Sequence, residues 1–322
     1  MSDIIKFSIP MRNDEEGFFG RECPNEGCLG YFKIELGTGL QGEDLPCHCP
    51  YCGHVGPHDT FWTKDQLEYA RSAALREVQK YVSDMLKSTF PPSRPRRGDL
   101  ISLSFEYKPG KPLPLYRYEE KQLETALVCS ECGLRYAVYG VFGYCPDCGS
   151  HNSLQILDAN LDLALKELAL ASTLEGPLAD QLIADALENG VSAFDAFGRE
   201  LFRVNSGLAS APDEAVGMSC QNLESLNSRV SKMFGIDLAS PFTADEWRVL
   251  VQGFQKRHLI AHRMGVVDQA YINASGDLRG VVGRKVDLDS AEVTVVLQLV
   301  RRLGQHVQDV LQAKRAESSQ GR

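Results

Sequence analysis

Segment 129–149 reads CSECGLRYAVYGVFGYCPDCG and contains two Cys-x2-Cys pairs, Cys129/Cys132 and Cys145/Cys148, with twelve residues between them. A glycine follows each pair, and glycine permits the tight backbone turn that directs amide N–H groups at cysteine sulfur. Two such turns at the ends of a β-hairpin bring four thiolates to one tetrahedral metal ion. The spacing therefore predicts a structural zinc site made of these four cysteines.

A second cysteine cluster lies nearer the N-terminus, with Cys23 and Cys28 in one pair and Cys49 and Cys52 in the other. The wider Cys-x4-Cys loop and the Cys-x2-Cys turn can together form another tetrahedral zinc site. Cys47 is an alternative ligand that either replaces Cys49 or stays free. Further candidate ligands in this region are His48, His54 and His58.

Both clusters resemble zinc ribbons. The resemblance implies small β domains braced by metal, and it does not indicate a function. Four cysteines leave no open position on the metal, so we expect two structural zinc ions and no catalysis at either one. We expect Tyr51 and Trp62, near the first ribbon, to pack within it, with base stacking as the alternative role.

The stretch between the ribbons contains a predicted helix over 64–89, where apolar residues recur at helical spacing. A proline-rich basic segment follows from Phe90. Its arginines are expected to belong to a solvated linker, with RNA contact as the alternative: Arg94, Arg96 and Arg97. Two β-strands are then predicted over Leu100–Tyr107 and Leu113–Tyr118.

From about residue 155 helical periodicity dominates, which predicts an all-α bundle. The predicted helices lie near 155–171, 178–205, 219–234, 244–263 and 289–315, with an irregular segment at 265–288. We therefore predict a multidomain α+β protein with two zinc ribbons, an intervening helix and a C-terminal helical bundle. Its predicted domains are the first ribbon (1–60), the helix and linker (61–98), the strands and second ribbon (99–153) and the bundle (154–322).

The formal charge of −9 argues against a protein that coats nucleic acid through bulk charge. The segment from Ala244 onward is nevertheless net +3, with twelve Lys and Arg against nine Asp and Glu, so the preceding residues carry −12. The sequence shows no signal-peptide core and no run of about 18 apolar residues, so we expect a cytoplasmic protein without a membrane span. Paired cysteines in that reducing compartment bind metal more often than they form disulfides.

The predicted helix at 244–263 changes character along one face. It begins at a capping box, Thr243-Ala-Asp-Glu246. An apolar stripe follows at i, i+3, i+4 and i+7: Trp247, Leu250, Val251 and Phe254. The next positions of the same stripe are Arg257, His258, Ala261 and His262. A face directed into a bundle should stay apolar, so this change indicates a buried hydrogen-bond network, an interface or a catalytic site.

These residues also carry a family resemblance. Arg257-His258-Leu-Ile-Ala-His262 matches the R-x4-H motif of the HEPN superfamily, and the turn through Gly265, Asp268 and Tyr271 is similar to the one that follows that motif. Segment 191–202 looks like an early helix of the same bundle. The resemblance covers roughly 155–315 and implies a four- or five-helix bundle that often dimerises. Many members are metal-independent endoribonucleases, often in toxin or antiviral systems, and others bind without catalysis.

The chemistry of these side chains suits RNA cleavage. His262 can remove the 2′-proton or protonate the leaving 5′-oxygen, because imidazole titrates near neutrality. Arg257 can offset charge on the phosphorane oxygens. His258 is expected to support them or to act as the second acid or base. The expected partners are therefore RNA, a second copy through the bundle and a protein bound by the ribbons, with no membrane.

Two other interpretations stay open. The chain could be a non-catalytic adaptor whose ribbons and bundle bind protein or nucleic acid, and the acidic residues before Ala244 favour protein as the partner of the ribbons. It could also be a toxin that an antitoxin silences. His306 and Cys220 lie on helical patterns and are expected to be core or surface residues without a role in the site.

Overall fold

Antiparallel sheets occupy the N-terminal part of the chain and helices dominate the rest, which confirms the broad α+β layout predicted from the sequence. The structure is a computed structural model that describes residues 8–42, 44–90, 107–123 and 125–320. The chain divides into two units, Met1–Ser150 and His151–Arg322. None of the helices in the described ranges combines the length and apolar character of a membrane-spanning segment.

The N-terminal unit is built on a four-stranded antiparallel sheet in the order β1-β2-β6-β5. Its strands are β1 (Phe19–Glu22), β2 (Tyr31–Ile34), β5 (Thr125–Val128) and β6 (Arg135–Val138). Strands β3 (Pro46–His48) and β4 (Val55–Pro57) form a separate two-stranded ribbon. The β2–β6 pair, with Ile34 opposite Tyr136, joins the two cysteine-rich regions into one sheet.

Helix α1 (Lys64–Thr89) begins where expected, because Thr63 and Gln66 form a reciprocal capping box. The strand predicted over Leu113–Tyr118 is wrong, since this segment has no strand structure. Pro112 precedes this segment and Pro114 lies within it, and proline has no N–H to donate to a sheet ladder. The Leu113 N–H donates instead to the Gln79 side chain of α1 at 2.8 Å.

Two further sequence expectations fall on residues that the structure does not describe. The strand predicted over Leu100–Tyr107 lies outside the described residues except for Tyr107, which is not in a strand. The linker arginines at 94, 96 and 97 also lie outside the described residues.

The C-terminal unit is a helical bundle. Its elements are α2 (Ser153–Ala171), α3 (Pro177–Val204), α4 (Pro212–Val216), α5 (Leu223–Phe234), α6 (Ala244–Arg263), α7 (Gln269–Ser275) and α8 (Ser290–Gln320). Helices α2, α3, α6 and α8 enclose an apolar core that includes Leu161, Phe194, Phe254 and Val300. The segment 265–288, expected to be irregular, contains the short helix α7.

Close helix packing places two glycines where a side chain would not fit. A Cβ on Gly190 of α3 would lie 2.1 Å from the Leu297 side chain, and one on Gly253 of α6 would lie 2.7 Å from Val296. Both contacts are made to α8, so α8 packs tightly against the helix that carries the Arg–His motif.

Candidate functional sites

The first cysteine cluster consists of Cys23, Cys28, Cys49 and Cys52, whose sulfur atoms all lie within 4.8 Å of one another. Sulfur–sulfur distances are 3.7 Å for Cys23–Cys52 and 3.8 Å for Cys28–Cys49. Four sulfurs about 2.3 Å from a tetrahedral zinc ion would be about 3.8 Å apart. The cluster is therefore suited to holding a metal ion.

The second cluster consists of Cys129, Cys132, Cys145 and Cys148 and has the same geometry. Its sulfurs lie 3.6 Å apart for Cys129–Cys148 and 3.5 Å apart for Cys132–Cys145. Glycine after each pair adopts positive φ, 77° at Gly133 and 70° at Gly149, as the predicted tight turns require. Backbone N–H groups of residues 147 and 148 point to the Cys145 sulfur, an arrangement that stabilises thiolate ligands.

Cys47 lies outside the first cluster, although it is fully buried. It is paired with Gly56 in the β3–β4 ribbon, and burial raises the pKa of its thiol to about 12. The alternative in which Cys47 replaces Cys49 does not match this arrangement. Among the described residues, no histidine joins either cluster.

The two metal-binding turns contact each other through the backbone. The His48 N–H donates to the Pro146 carbonyl at 2.7 Å, and the Tyr144 N–H donates to the Pro50 carbonyl at 2.9 Å. The His48 ring also lies against Gly149, where an added Cβ would be 2.9 Å away. Because these contacts join residues beside the ligands of both clusters, we expect the two sites to stabilise each other.

The aromatic residues near the first cluster pack within the unit, as expected. The Tyr51 hydroxyl donates to the Tyr31 carbonyl at 2.6 Å and accepts from the Tyr139 N–H at 2.9 Å. Trp62 packs edge-on against Phe19, with 5.7 Å between ring centroids. Each side chain is held by its own unit and is not presented as a free stacking surface.

Arg21 is a buried cation that no pattern in the sequence indicates. Its guanidinium lies 5.0 Å from the centroid of Phe19 and 5.3 Å from that of Trp62. Burial lowers the pKa of Arg21, and its Nε and Nη1 atoms have no hydrogen-bond partner among the residues that the structure describes. No sequence signal marked it, because its burial depends on aromatic residues from two separate segments.

In the C-terminal unit, the apolar stripe of α6 is buried as predicted at Leu250, Val251 and Phe254. Its polar continuation lies at the surface, with Arg257 half-buried and His258 and His262 exposed.

Lys256 and Leu259 take the inward positions in this part of α6. Lys256 is only 1% exposed and donates to Glu292 at 2.6 Å and to the Asp287 carbonyl at 2.9 Å. The polar residues of the stripe therefore lie at the surface of the bundle and do not form a buried hydrogen-bond network.

The two histidines lie side by side on α6, as their i and i+4 spacing predicts. The ring centroids of His258 and His262 are 4.8 Å apart. Both rings are exposed, so both can reach the same bound group.

Arg257 adds an unsatisfied cation to this surface. Its Nη2 atom donates to the Ser192 hydroxyl of α3 at 3.1 Å, while its Nε atom is buried without a partner. Other arginines on the bundle have carboxylate partners, such as Arg248 with Asp245 at 2.7 Å. Among the described residues, Arg257 makes no ion pair, so its guanidinium remains available to an anion.

The segment after α6 brings further cations to the same end of the helix. Met264 adopts a left-handed conformation with φ of 54°, and the chain turns there. The Val286 N–H then donates to the Gly265 carbonyl at 2.8 Å, and Val266 forms a β-bridge with Lys285. This pairing places Arg284 and Lys285 beside the end of α6, although about twenty residues separate them from it in sequence.

A polar network supports this segment from within. The Tyr271 hydroxyl donates to Asp277 at 2.7 Å, and burial raises the pKa of that hydroxyl. Arg279 donates to Glu292, the partner of Lys256, at 3.3 Å. These contacts tie α7 and the start of α8 to α6 near the motif.

The remaining candidates take no part in this site. Cys220 is fully buried, and its N–H donates to Asp195 at 2.7 Å. His306 on α8 contacts the Ser240 hydroxyl at 3.3 Å.

Comparison with known proteins found no match: no family model, no curated protein and no solved structure matches this chain. The function proposed below therefore rests on the residues of the site and on the resemblance of the motif.

Proposed function

We propose that the chain is a metal-independent endoribonuclease of the HEPN type, with Arg257, His258 and His262 as its catalytic residues. The observation that carries the proposal is the combination of a half-buried arginine, which pairs with no carboxylate in the described part of the chain, and two exposed imidazoles 4.8 Å apart on the same helix. A cation and two groups that titrate near neutrality are the set that phosphodiester transesterification needs.

The reaction uses the 2′-hydroxyl of the RNA as its nucleophile. One imidazole, assigned to His262, accepts the 2′-proton while the 2′-oxygen attacks phosphorus. The bond from phosphorus to the 5′-oxygen then breaks, and the second imidazole, assigned to His258, donates a proton to that oxygen. The products are a 2′,3′-cyclic phosphate and a 5′-hydroxyl, and no metal-bound water takes part.

Arg257 would stabilise the negative charge that develops on the phosphorane oxygens. The hydrogen bond to Ser192 fixes one edge of its guanidinium against α3, and no carboxylate of the described residues forms an ion pair with it. On the family resemblance, we further propose that two copies associate through the bundle and that the enzyme acts as a toxin or in antiviral defence.

Within this proposal both metals are zinc and their role is structural. Four thiolates favour zinc over magnesium or calcium, which prefer oxygen ligands. The ribbons would position RNA or a protein partner. Cytoplasmic location fits reduced, metal-binding cysteines.

The test is incubation of the pure protein with a mixed RNA substrate in EDTA, followed by analysis of the new ends. We expect cleavage with cyclic-phosphate ends, lost in Arg257→Ala and His262→Ala by at least about a hundredfold. Arg248→Ala is the matched control, because Arg248 lies on the same helix but pairs with Asp245. A requirement for added magnesium, or equal activity in all variants, would refute the mechanism.

A second candidate is a non-catalytic adaptor. It is favoured by the exposed apolar residues on α1, which include Leu75, Val78 and Met85. An adaptor would bind RNA or protein without producing cyclic-phosphate ends, and Arg257→Ala would then weaken binding without affecting any cleavage.

A further inference from the structure

Helix α1 has one face covered by its own chain. Residues 113–118 run along this face, where the Tyr116 hydroxyl donates to Asp65 at 2.8 Å and the Tyr116 N–H donates to Ser72 at 3.0 Å. Tyr118 packs on Tyr69, with 5.6 Å between ring centroids. At about 100° per residue, the contacted positions of α1 fall within about 80° of one another.

The opposite face of α1 is apolar and exposed. Val78 and Met85 are 44% and 48% exposed, and they lie about 140° and about 160° around the helix from the position of Ser83, which is buried. The same face includes other exposed side chains: Leu75, Tyr81 and Val82. The charged residues of segment 74–86 all lie on the other side of the helix: Arg76, Glu77, Lys80 and Asp84. A continuous apolar face of this kind indicates a binding surface.

The spacing of these residues identifies the kind of partner. Leu75, Val78, Val82 and Met85 follow one another at intervals of three, four and three residues, which is the a and d pattern of a coiled-coil seam. Such a seam packs against a second helix, whose side chains insert between its own.

We propose that α1 pairs in an antiparallel arrangement with α1 of a second copy of this chain. The four seam residues are symmetric about position 80. Antiparallel pairing therefore sets Leu75 against Met85 of the second copy and Val78 against its Val82, so that each a position meets a d position.

The charges on α1 favour this orientation over a parallel one. Glu68 and Arg71 continue the seam towards the N-terminus of the helix. In parallel pairing, each of these residues would lie opposite the same residue of the second copy, so like charges would face each other across the seam. Antiparallel pairing moves Arg71 opposite Thr89 and removes the repulsion.

The contact is short, with about two heptads in the seam, so we expect a weak dimer whose population depends on concentration. It is independent of the proposed ribonuclease activity, since it uses only residues of α1. It is also separate from the proposed contact through the helical bundle, so the test must report on α1 itself.

The test places the photocrosslinker p-benzoylphenylalanine at Met85 of the full-length zinc-loaded protein. Mixing isotopically light and heavy protein distinguishes crosslinks between copies from those within a chain. We expect crosslinks between copies that map to residues near Leu75. Crosslinks from Met85 only to residues 91–106 of its own chain, to another part of the chain, or to no peptide would overturn the proposal.

Two charge variants test the orientation. Val78→Glu/Val82→Lys sets opposite charges together in antiparallel pairing and should keep the crosslink. Val78→Glu/Val82→Glu sets like charges together in either orientation and should reduce the crosslink at least about tenfold. Loss of the crosslink in both variants, with helicity and metal content unchanged, would exclude antiparallel pairing.

Discussion

The two units of this protein are held together by different means. Among the described residues, the hydrophobic cluster around the metal-binding turns of the N-terminal unit has 11 buried residues, and five of them are cysteines: Cys23, Cys47, Cys49, Cys129 and Cys145. The core of the C-terminal unit has 32 buried residues, with Cys220 as its one cysteine. Ten buried apolar side chains besides the cysteines, in the described part of the N-terminal unit, are too few to hold a domain by themselves, whereas the bundle has an ordinary apolar interior. The comparison predicts that metal governs the stability of the first unit and side-chain packing that of the second.

The largest expected effect on stability follows from the replacement of one metal ligand. Structural zinc contributes on the order of 10–16 kcal/mol to the folding of small domains. We expect Cys49→Ser to lose one metal equivalent and to unfold the N-terminal unit at least locally, while α2–α8 keep their protection. Metal analysis per chain and hydrogen exchange resolved by peptide would measure both.

Cys47→Ser is the matched control. Cys47 is as buried as Cys49 and lies two residues away, but its sulfur is outside the cluster. We expect Cys47→Ser to lower the free energy of unfolding by about 1–3 kcal/mol, because it buries a hydroxyl, and to retain both metals. If Cys47→Ser loses metal and Cys49→Ser does not, the ligand set is wrong.

The next effect should appear only in the bundle. Phe254 is 1% exposed and packs edge-on against Phe194, with 5.7 Å between ring centroids. Phe254→Ala should lower the free energy of unfolding of the C-terminal unit by about 3–5 kcal/mol and leave the metal content unchanged. Denaturant unfolding followed by helical circular dichroism measures the loss.

Val295→Ala is its control, because Val295 lies on α8 with 44% of its surface exposed. We expect Val295→Ala to change the free energy of unfolding of the C-terminal unit by less than about 1 kcal/mol. Loss of metal in the Phe254 variant would show that the two units are not stabilised independently.

The difference between a unit built on metal-binding turns and a unit built on helix packing also explains how much could be predicted from the sequence. Metal ligands lie in short turns, so local spacing was enough to select the eight cysteines that cluster in the structure. Helix α6 was predicted over its full length, because a capping box marks one end and apolar periodicity extends along it.

The features that the sequence did not indicate depend on contacts between distant segments. Pairing of Lys33 with Ala137 joins the two ribbons, and no local pattern encodes it. The burial of Lys256 depends on Glu292 of α8, which supplies the carboxylate that an inward lysine needs. Arg284 reaches the end of α6 only because segment 283–286 pairs with 265–267.

A third effect should appear with pH and belongs to the C-terminal unit. Burial alone would raise the pKa of Glu200, but hydrogen bonds from Arg203 and His151 outweigh it and lower that pKa to about 2. The Arg203 Nη2 atom lies 2.7 Å from Glu200, and the His151 Nε2 atom lies 3.2 Å from it.

Because the folded pKa is lowered, the stabilisation is present above the unfolded pKa of about 4.3 and is lost as pH falls towards 2. Glu200→Gln should therefore cost on the order of 3 kcal/mol near pH 6 and almost nothing near pH 2. Urea unfolding of both proteins across this range measures the difference. A cost that does not change with pH would show that Glu200 acts through packing alone.

The smallest effect concerns the proposed site and the hydrogen bond that positions its arginine. Ser192 contributes one hydroxyl, which accepts from the charged Arg257 guanidinium at 3.1 Å, and at a half-buried position such a bond is worth about 1.5 kcal/mol. We expect Ser192→Ala to lower RNA cleavage about tenfold with little change in stability, because the residue is only half-buried. Ser192→Thr retains a hydroxyl and should recover part of the activity.

Ser192→Ala distinguishes an effect on the proposed site from an effect on the stability of the bundle. A positioning role for Ser192 requires that its loss changes kcat and leaves the KM for RNA nearly unchanged, since Arg257 would act mainly on charge in the transition state. If Ser192→Ala lowers activity only in proportion to the fraction of unfolded protein, Ser192 merely packs between α3 and α6. If Arg257→Ala abolishes cleavage and Ser192→Ala leaves kcat unchanged, the guanidinium is held by the burial of its Nε edge and not by the hydroxyl of α3.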